Sequence, residues 1–143
     1  MSEQLYKKIL LPLDGSKFAE KAVNDAIFIA KSSNAEIILL TVVENSFLVG
    51  LPADNTTMEI NKLLETEAQK NIDKIKKHLD DIKTTTIIKE GSPAEAILKT
   101  IEKENIDLVI MGSSGKKGFE KFIIGSVTDK VVNSARCKIM VIH

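Results

Sequence analysis

The chain has 143 residues, 43% of them hydrophobic, which is sufficient for a single domain, residues 1–143, with a buried core. Twenty acidic and twenty basic residues cancel, which excludes the strong basic charge of most nucleic-acid-binding proteins, so we expect no nucleic-acid partner. The single cysteine, Cys137, excludes a disulfide framework and a multi-cysteine metal site, and together with the lack of a long apolar run it predicts a cytoplasmic protein without a membrane partner.

The first third of the chain contains two apolar runs with a helical pattern between them. Residues 6–13 form a continuous apolar run, which is typical of a strand buried on both faces of a parallel sheet. Ser16 is positioned to cap the helix that follows. Residues 35–43 form the second predicted strand. The helix between these strands has apolar residues at three- and four-residue spacing: Ala19, Ala22, Val23, Ala26, Ile27 and Ala30.

Residues 44–57 lack a regular pattern and contain Gly50 and Pro52. Four apolar residues in this segment are unusual for a solvated loop: Phe47, Leu48, Val49 and Leu51. Two interpretations are open, because the loop either folds back over the core or forms a flap over a ligand or a surface for a partner. A long amphipathic helix is predicted next from the spacing of Ile60, Leu64, Ala68, Ile72, Ile75 and Leu79.

The second half of the chain begins with a more polar strand. Residues 84–89 are β-branched and only weakly apolar, which predicts a strand at the edge of a sheet. A helix start follows, with Ser92 as N-cap, Pro93 in the first turn and Glu95 completing a capping box.

Two further strands, residues 106–111 and 138–143, flank the last predicted helix. Five strands thus alternate with four helices, which predicts an α/β fold with a doubly wound, five-stranded parallel sheet and helices on both faces. In the strand order 3-2-1-4-5, strands 1 and 4 are neighbours where the winding reverses. Ligands bind at such a point, outside the carboxyl ends of the strands.

Spaced glycines after the fourth strand favour an anionic ligand. Gly112 and Gly115 follow the strand, and Gly125 and Ser126 begin the last helix. Glycine permits a positive φ and a close approach of backbone N–H groups to a ligand, and a helix start adds unpaired N–H donors. These residues predict a phosphate site, although neither GxxxxGK[ST] nor GxGxxG occurs. Asp14 would lie opposite, where a carboxylate accepts hydrogen bonds from ribose hydroxyls.

The spacing Gly-x2-Gly-x9-Gly-Ser resembles the signature of the ATP-binding branch of the universal stress protein family. The segments ILLPLDGS, VIMGSSG and GSVTDKVV resemble the corresponding family segments, and the resemblance covers essentially the whole chain. It implies ATP with Mg²⁺ as cofactor and a nucleotide-dependent regulator or switch in the stress response, with unknown protein partners. Two alternatives stay open: a nucleotide-independent dimeric interaction protein of this fold, and a slow ATP-hydrolysing enzyme.

The resemblance also implies how individual residues hold the nucleotide. Asp14 contacts the ribose, whereas Met111 and Gly112 line the base and ribose. The adenine is enclosed by Pro12, Leu13 and Val42. The phosphates are held by backbone N–H groups and the Ser126 hydroxyl, in the set Ser113, Gly115, Gly125, Ser126 and Val127. The loop lysines Lys116, Lys117 and Lys121 are expected to be solvated, because such a backbone cradle needs no side chain there.

The last strand is unusually apolar for an open sheet edge, with the run Ile139, Met140, Val141 and Ile142. In the family this strand commonly pairs with its twin across a two-fold axis, so the resemblance implies a homodimer.

Two positions depart from the family pattern. Many relatives have His or Arg in place of Ser114. The last strand of relatives often begins Cys-Pro-Val, and Lys138 of this chain stands in place of that proline.

Catalytic residues are not predicted. Both histidines, His78 and His143, are placed away from the glycine loop. The acidic residues near it are Asp14 and Asp129, and they do not make an acid–base pair. Since phosphoryl transfer also needs a positioned metal and a group that orients the acceptor, we expect at most slow or partner-dependent ATP hydrolysis and no metal site made by the protein alone.

Overall fold

The structure, a computed structural model, describes residues 5–114 and 124–143. In these ranges strands and helices alternate as β1 (Lys8–Leu13), α1 (Lys17–Ser33), β2 (Glu36–Val43), α2 (Asn55–Lys76), β3 (Thr84–Glu90), α3 (Pro93–Lys103), β4 (Leu108–Gly112), α4 (Ser126–Ser134) and β5 (Lys138–Ile142). All strand pairs are parallel, and the order β3-β2-β1-β4-β5 confirms the predicted sheet. Among the described residues, no helix combines the length and apolar composition needed to cross a membrane.

The central strands separate two apolar cores. In β1, Ile9 and Leu11 face a core built with α1 and α2, whereas Leu10 faces a core built with α3 and α4. The same alternation occurs in β2, where Leu39 belongs to the first core and Leu40 to the second. Successive side chains of a strand point to opposite faces, so a continuous apolar run fills both cores. The predicted helices on both faces are thereby confirmed.

The capping hydrogen bond predicted at the start of α1 forms, whereas the one predicted at the start of α3 does not. The Ser16 hydroxyl oxygen accepts a hydrogen bond from the Ala19 N–H at 3.1 Å, as expected of an N-cap. Ser92 has the extended backbone of an N-cap and Pro93 stands in the first turn, but the Ser92 side chain makes no capping hydrogen bond. The predicted capping box is therefore wrong.

The irregular segment after β2 is shorter than predicted, because α2 begins at Asn55. Asp54 caps this helix, and its carboxylate accepts from the Thr57 N–H at 2.9 Å, which lowers the pKa of Asp54. Leu48 is half-buried, whereas Phe47, Val49 and Leu51 are exposed, at 59% for Phe47 and 84% for Val49. The interpretation as a loop folded back over the core is wrong for these residues, while the flap or partner surface stays a prediction.

β3 lies at one edge of the sheet, as predicted, and β5 lies at the other. The Ile142 carbonyl accepts from the Ser113 N–H at 2.8 Å, so Ile142 directs its backbone toward the β4 side. Because alternate residues of a strand direct their backbone groups to the same side, those of Ile139 and Val141 point to the open edge. Among residues 5–114 and 124–143, no strand pairs with this edge of β5.

Candidate functional site

A gap between β1 and β4 opens at Pro12. The Lys8 carbonyl accepts from the Asp107 N–H at 3.1 Å, so Lys8, and with it Pro12, turns its backbone toward β4. Proline has no N–H to donate. The β1–β4 pairing accordingly covers only Ile9↔Leu108 and Leu10↔Val109, whereas the β1–β2 pairing continues to Leu13↔Thr41. The proline thus widens the crevice at the point where the winding reverses.

A cavity of about 750 Å³ lies at this crevice, a size typical of small-molecule sites. Ser113 does not line it and is 1% exposed. Gly115 lies outside the described residues. The cavity brings together the other predicted site residues: Pro12, Leu13, Asp14, Val42, Met111, Gly112, Gly125, Ser126 and Val127.

Backbone donors enter this cavity from the start of α4. The first hydrogen bond of that helix runs from the Asp129 N–H to the Gly125 carbonyl at 2.9 Å. The N–H groups of Ser126 and Val127 precede it and have no acceptor within the helix. They lie at the positive end of the helix dipole, which attracts anions.

Two of the amides expected to bind phosphate are already occupied in the fold. The Ser113 N–H donates to the Ile142 carbonyl at 2.8 Å, and the Gly125 N–H donates to the Ser113 carbonyl at 2.7 Å. These bonds join the end of β4 to β5 and to the start of α4. The Ser113 and Gly125 amides are therefore not free to donate to a ligand, whereas those of Ser126 and Val127 have no acceptor within α4.

Gly112 is required by packing. A Cβ at this position would lie 2.5 Å from the Phe18 Cβ and 2.9 Å from the Phe18 carbonyl carbon, both in α1. Neither glycine has the positive φ that glycine permits, because Gly112 is not among the positive-φ positions and Gly125 has φ −67°. A Cβ on Gly125 would lie 3.3 Å from the Ser114 Cα. Each glycine thus permits a close approach between two parts of the backbone.

Several residues of the site were missed in the sequence. Thr128 is buried, and its hydroxyl donates to the Gly112 carbonyl at 2.8 Å, which fixes α4 to the end of β4. Thr41 also lines the cavity, and a threonine in the apolar run EIILLTVV was a signal that could have identified it. Helix α2 contributes part of the wall through Leu64, Glu67, Ala68 and Asn71.

The described part of the cavity wall is acidic. Its charged side chains are Asp14, Glu44 and Glu67, and it contains no lysine or arginine. The Asp14 carboxylate accepts from the Ser16 N–H at 2.9 Å, which fixes it at the end of β1. In this part of the wall the groups that attract a phosphate are the α4 amides, and Asp14 suits a hydroxyl group or a cation.

The groups considered for catalysis lie elsewhere. His78 and His143 are exposed, and neither belongs to the described cavity wall. Asp129 is exposed, and its side chain accepts from the Asn133 amide at 3.2 Å. Cys137 packs against the core of α3 and α4, and burial raises the pKa of its thiol, which disfavours the reactive thiolate.

Comparison with known proteins agrees with this architecture. A model of the universal stress protein family matches residues 5–143. Universal stress protein MJ0531 of Methanocaldococcus jannaschii is 41% identical over 142 residues, which cover 98% of this chain and 84% of that protein.

Two solved structures extend the comparison. The structure of MJ0577, a universal stress protein of Methanocaldococcus jannaschii, matches with a TM-score of 0.85 and 34% identity over 96% of each chain. A universal stress protein family protein of Arabidopsis thaliana, solved with AMP bound, matches with a TM-score of 0.62 and 19% identity, covering 95% of this chain and 90% of that one. The second match, at this identity, shows a shared fold. The chain belongs to the universal stress protein family.

Proposed function

We propose that this protein binds ATP together with Mg²⁺ and acts in the cytoplasm as a nucleotide-dependent regulator in the stress response. The observation that carries the proposal is the placement of the Ser126 and Val127 amides in one cavity with the Asp14 carboxylate. A nucleotide needs both kinds of group, because its phosphates take donors and its ribose offers hydroxyl protons. The Arabidopsis protein with bound AMP supports the proposal by its shared fold.

In the proposed complex the adenine lies against Pro12, Val42 and Met111, and the ribose lies at Asp14. The phosphates accept from the amides of Ser126 and Val127 and from the Ser126 hydroxyl. Leu13, Gly112 and Gly125 complete the cavity wall around the nucleotide. Ser113 lies behind this wall and does not line the cavity. Gly115 stays a predicted phosphate contact.

Mg²⁺ fits the acidic character of this wall. Among the described residues no group of three or more histidine, cysteine or acidic side chains could hold a metal, so the ion would be held by Asp14, phosphate oxygens and water, the ligands that Mg²⁺ prefers. When bound, it would neutralise charge on the phosphates. We therefore expect nucleotide-stripped protein to bind Mg·ATP at one site per chain in calorimetry. A folded protein that binds no ATP would instead favour the nucleotide-independent interaction protein.

The segment 44–54 is the surface through which the nucleotide would act. Glu44 lines the cavity, and the exposed side chains of Phe47, Val49 and Leu51 follow within a few residues. A ligand that contacts the end of β2 would shift the population of conformations of this segment. These exposed apolar residues are also the observation that favours the alternative of a pure interaction protein.

Chymotrypsin, which cleaves after Phe and Leu, tests the switch. We expect saturating Mg·ATP to slow cleavage within residues 44–54 at least about threefold, because a conformation favoured by the ligand opens less often to the protease. Cleavage of an unrelated peptide in the same mixture controls for direct effects of ATP on the enzyme. Equal rates with and without ATP would contradict the switch while leaving binding intact.

We further propose a homodimer in which the β5 edge, Ile139 to Ile142, pairs with its twin. Light scattering at tens of micromolar is expected to give about twice the chain mass of 15.7 kDa. Val141→Pro removes an N–H from the open edge, a position where proline is tolerated, and it is expected to give monomers. Val141→Ala keeps the N–H and is expected to stay dimeric. A parent protein of monomer mass would exclude this pairing.

A further inference from the structure

We propose that the Thr41 hydroxyl recognises the base of the bound nucleotide, an inference that rests on the proposed ATP binding. Thr41 lines the cavity and is 3% exposed, yet its hydroxyl oxygen has no hydrogen bond partner in residues 5–114 and 124–143. A buried hydroxyl without a partner destabilises a protein. The fold retains one beside the cavity, where a ligand can supply the missing partner.

The position of Thr41 assigns it to one side of the cavity. Ile37 and Leu39 face the core built with α1 and α2, and Thr41, two residues further along β2, points to the same face. Val131 of α4 belongs to the core on the opposite face of the sheet. The Thr41 side chain therefore lies on the α2 side of the sheet, whereas Val42 and Met111, the residues that we place against the adenine, pack on the α3–α4 side. A base that contacts all three would lie across the strand ends, with one edge toward Thr41.

The chemistry of the α2 side suits an uncharged heterocycle. Leu64 and Ala68 make this wall apolar. The α4 amides attract the phosphates to the other side. A nucleobase offers both N–H donors and ring acceptors at its edge, and a hydroxyl can pair with either kind. The Asn71 carboxamide lines the same wall and is a second group able to pair in both ways.

The hydroxyl reaches the ligand by a small movement. In the structure the oxygen is covered from solvent, although the residue lines the cavity. Rotation about χ1 by about 120° moves the threonine hydroxyl to another staggered position, such as the one that the methyl group occupied. A base edge in the cavity would favour the rotamer that turns the oxygen toward it, because that rotamer gains a hydrogen bond.

Thr41→Val, which keeps the shape and removes the hydroxyl, tests the inference in calorimetry with Mg·ATP and Mg·ADP. We expect both affinities to fall by the same factor, about fivefold, because the lost contact is to the base and not to a phosphate. The melting temperature of the empty protein should not fall, since the hydroxyl has no partner there. Thr41→Ser should bind within about twofold of the parent, because it retains the hydroxyl.

Thr100→Val is the matched control, because Thr100 is also buried but its hydroxyl donates to the Ala96 carbonyl at 2.7 Å, and its ATP affinity should equal that of the parent. Unchanged ATP affinity in Thr41→Val would overturn the inference alone. A melting temperature lowered by several degrees would also overturn it, by revealing a structural partner for the hydroxyl. A parent protein that binds no ATP would overturn the proposed function first, and this inference with it.

Discussion

Replacing Ser126 with proline is expected to weaken ATP binding about 100-fold or more. The change removes the N–H and the hydroxyl that we assign to the phosphates. A hydrogen bond from a neutral donor to a charged acceptor contributes about 1.5–3 kcal/mol, so the loss of two such bonds corresponds to about 100-fold or more in affinity.

The fold is expected to survive this substitution. Ser126 is the first residue of α4, where the N–H has no helical acceptor and proline is favoured. The preceding residue, Gly125, has φ −67° and ψ 159°, which is the extended conformation that a following proline requires. The melting temperature should therefore stay within a few degrees of the parent value.

Ser126→Ala separates the two contacts, because it removes the hydroxyl and keeps the N–H. We expect it to bind ATP more weakly than the parent but more tightly than Ser126→Pro. Calorimetry of nucleotide-stripped protein with Mg·ATP measures all three, and circular dichroism confirms folding. A folded Ser126→Pro protein with the affinity of the parent would show that the phosphates do not lie at the start of α4.

Gly112→Ala is expected to lower the free energy of unfolding by about 2–3 kcal/mol and the melting temperature by roughly 10 °C. The added Cβ would lie 2.5 Å from the Phe18 Cβ and 3.1 Å from the Ala19 backbone nitrogen. These atoms belong to the backbone of α1 or adjoin it, so α1 or β4 must move to accept the methyl group. Denaturant titration of the empty protein measures the loss without any ligand.

Gly125→Ala is the matched control for this substitution. Its Cβ would meet its nearest neighbour, the Ser114 Cα, at 3.3 Å, which a shift of a few tenths of an ångström relieves. Since Gly125 has a negative φ, alanine adds no backbone strain, and we expect a loss of about 1 kcal/mol or less. Equal stability of Gly112→Ala and the parent would contradict the close packing between β4 and α1.

The fold was predictable because local patterns determine it. The apolar runs at β1, β2 and β4 fill two cores, and the more polar β3 lies at an edge. The segment after β2 was predicted less well. Its apolar side chains suggested burial, but burial depends on what packs against them, and no local pattern contains that information. Asp54 was assigned to the loop, although its short acidic side chain is suited to cap α2.

The candidate site was predictable where it lies at a strand end or a helix start. Asp14 directly follows β1 and Ser126 begins α4, so both follow from the pattern of the chain, whereas Pro12, within β1, was assigned to the site by the family resemblance. The hydrogen bonds of the Ser113 and Gly125 amides were not predictable, because one acceptor is the carbonyl of Ile142. The α2 wall was missed for a different reason. An apolar helix stripe has the same spacing whether it contacts the core or borders a cavity.

The packing at Gly112 affects how relatives of this chain can be classified. A relative that does not bind a nucleotide would still need glycine at this position, because α1 would still pack against the end of β4. Natural selection for stability alone would therefore preserve the first glycine of the signature. Gly112 is thus required by the packing of α1, and under the proposed function the residues at the start of α4 are those expected to differ between nucleotide-binding and nucleotide-free relatives.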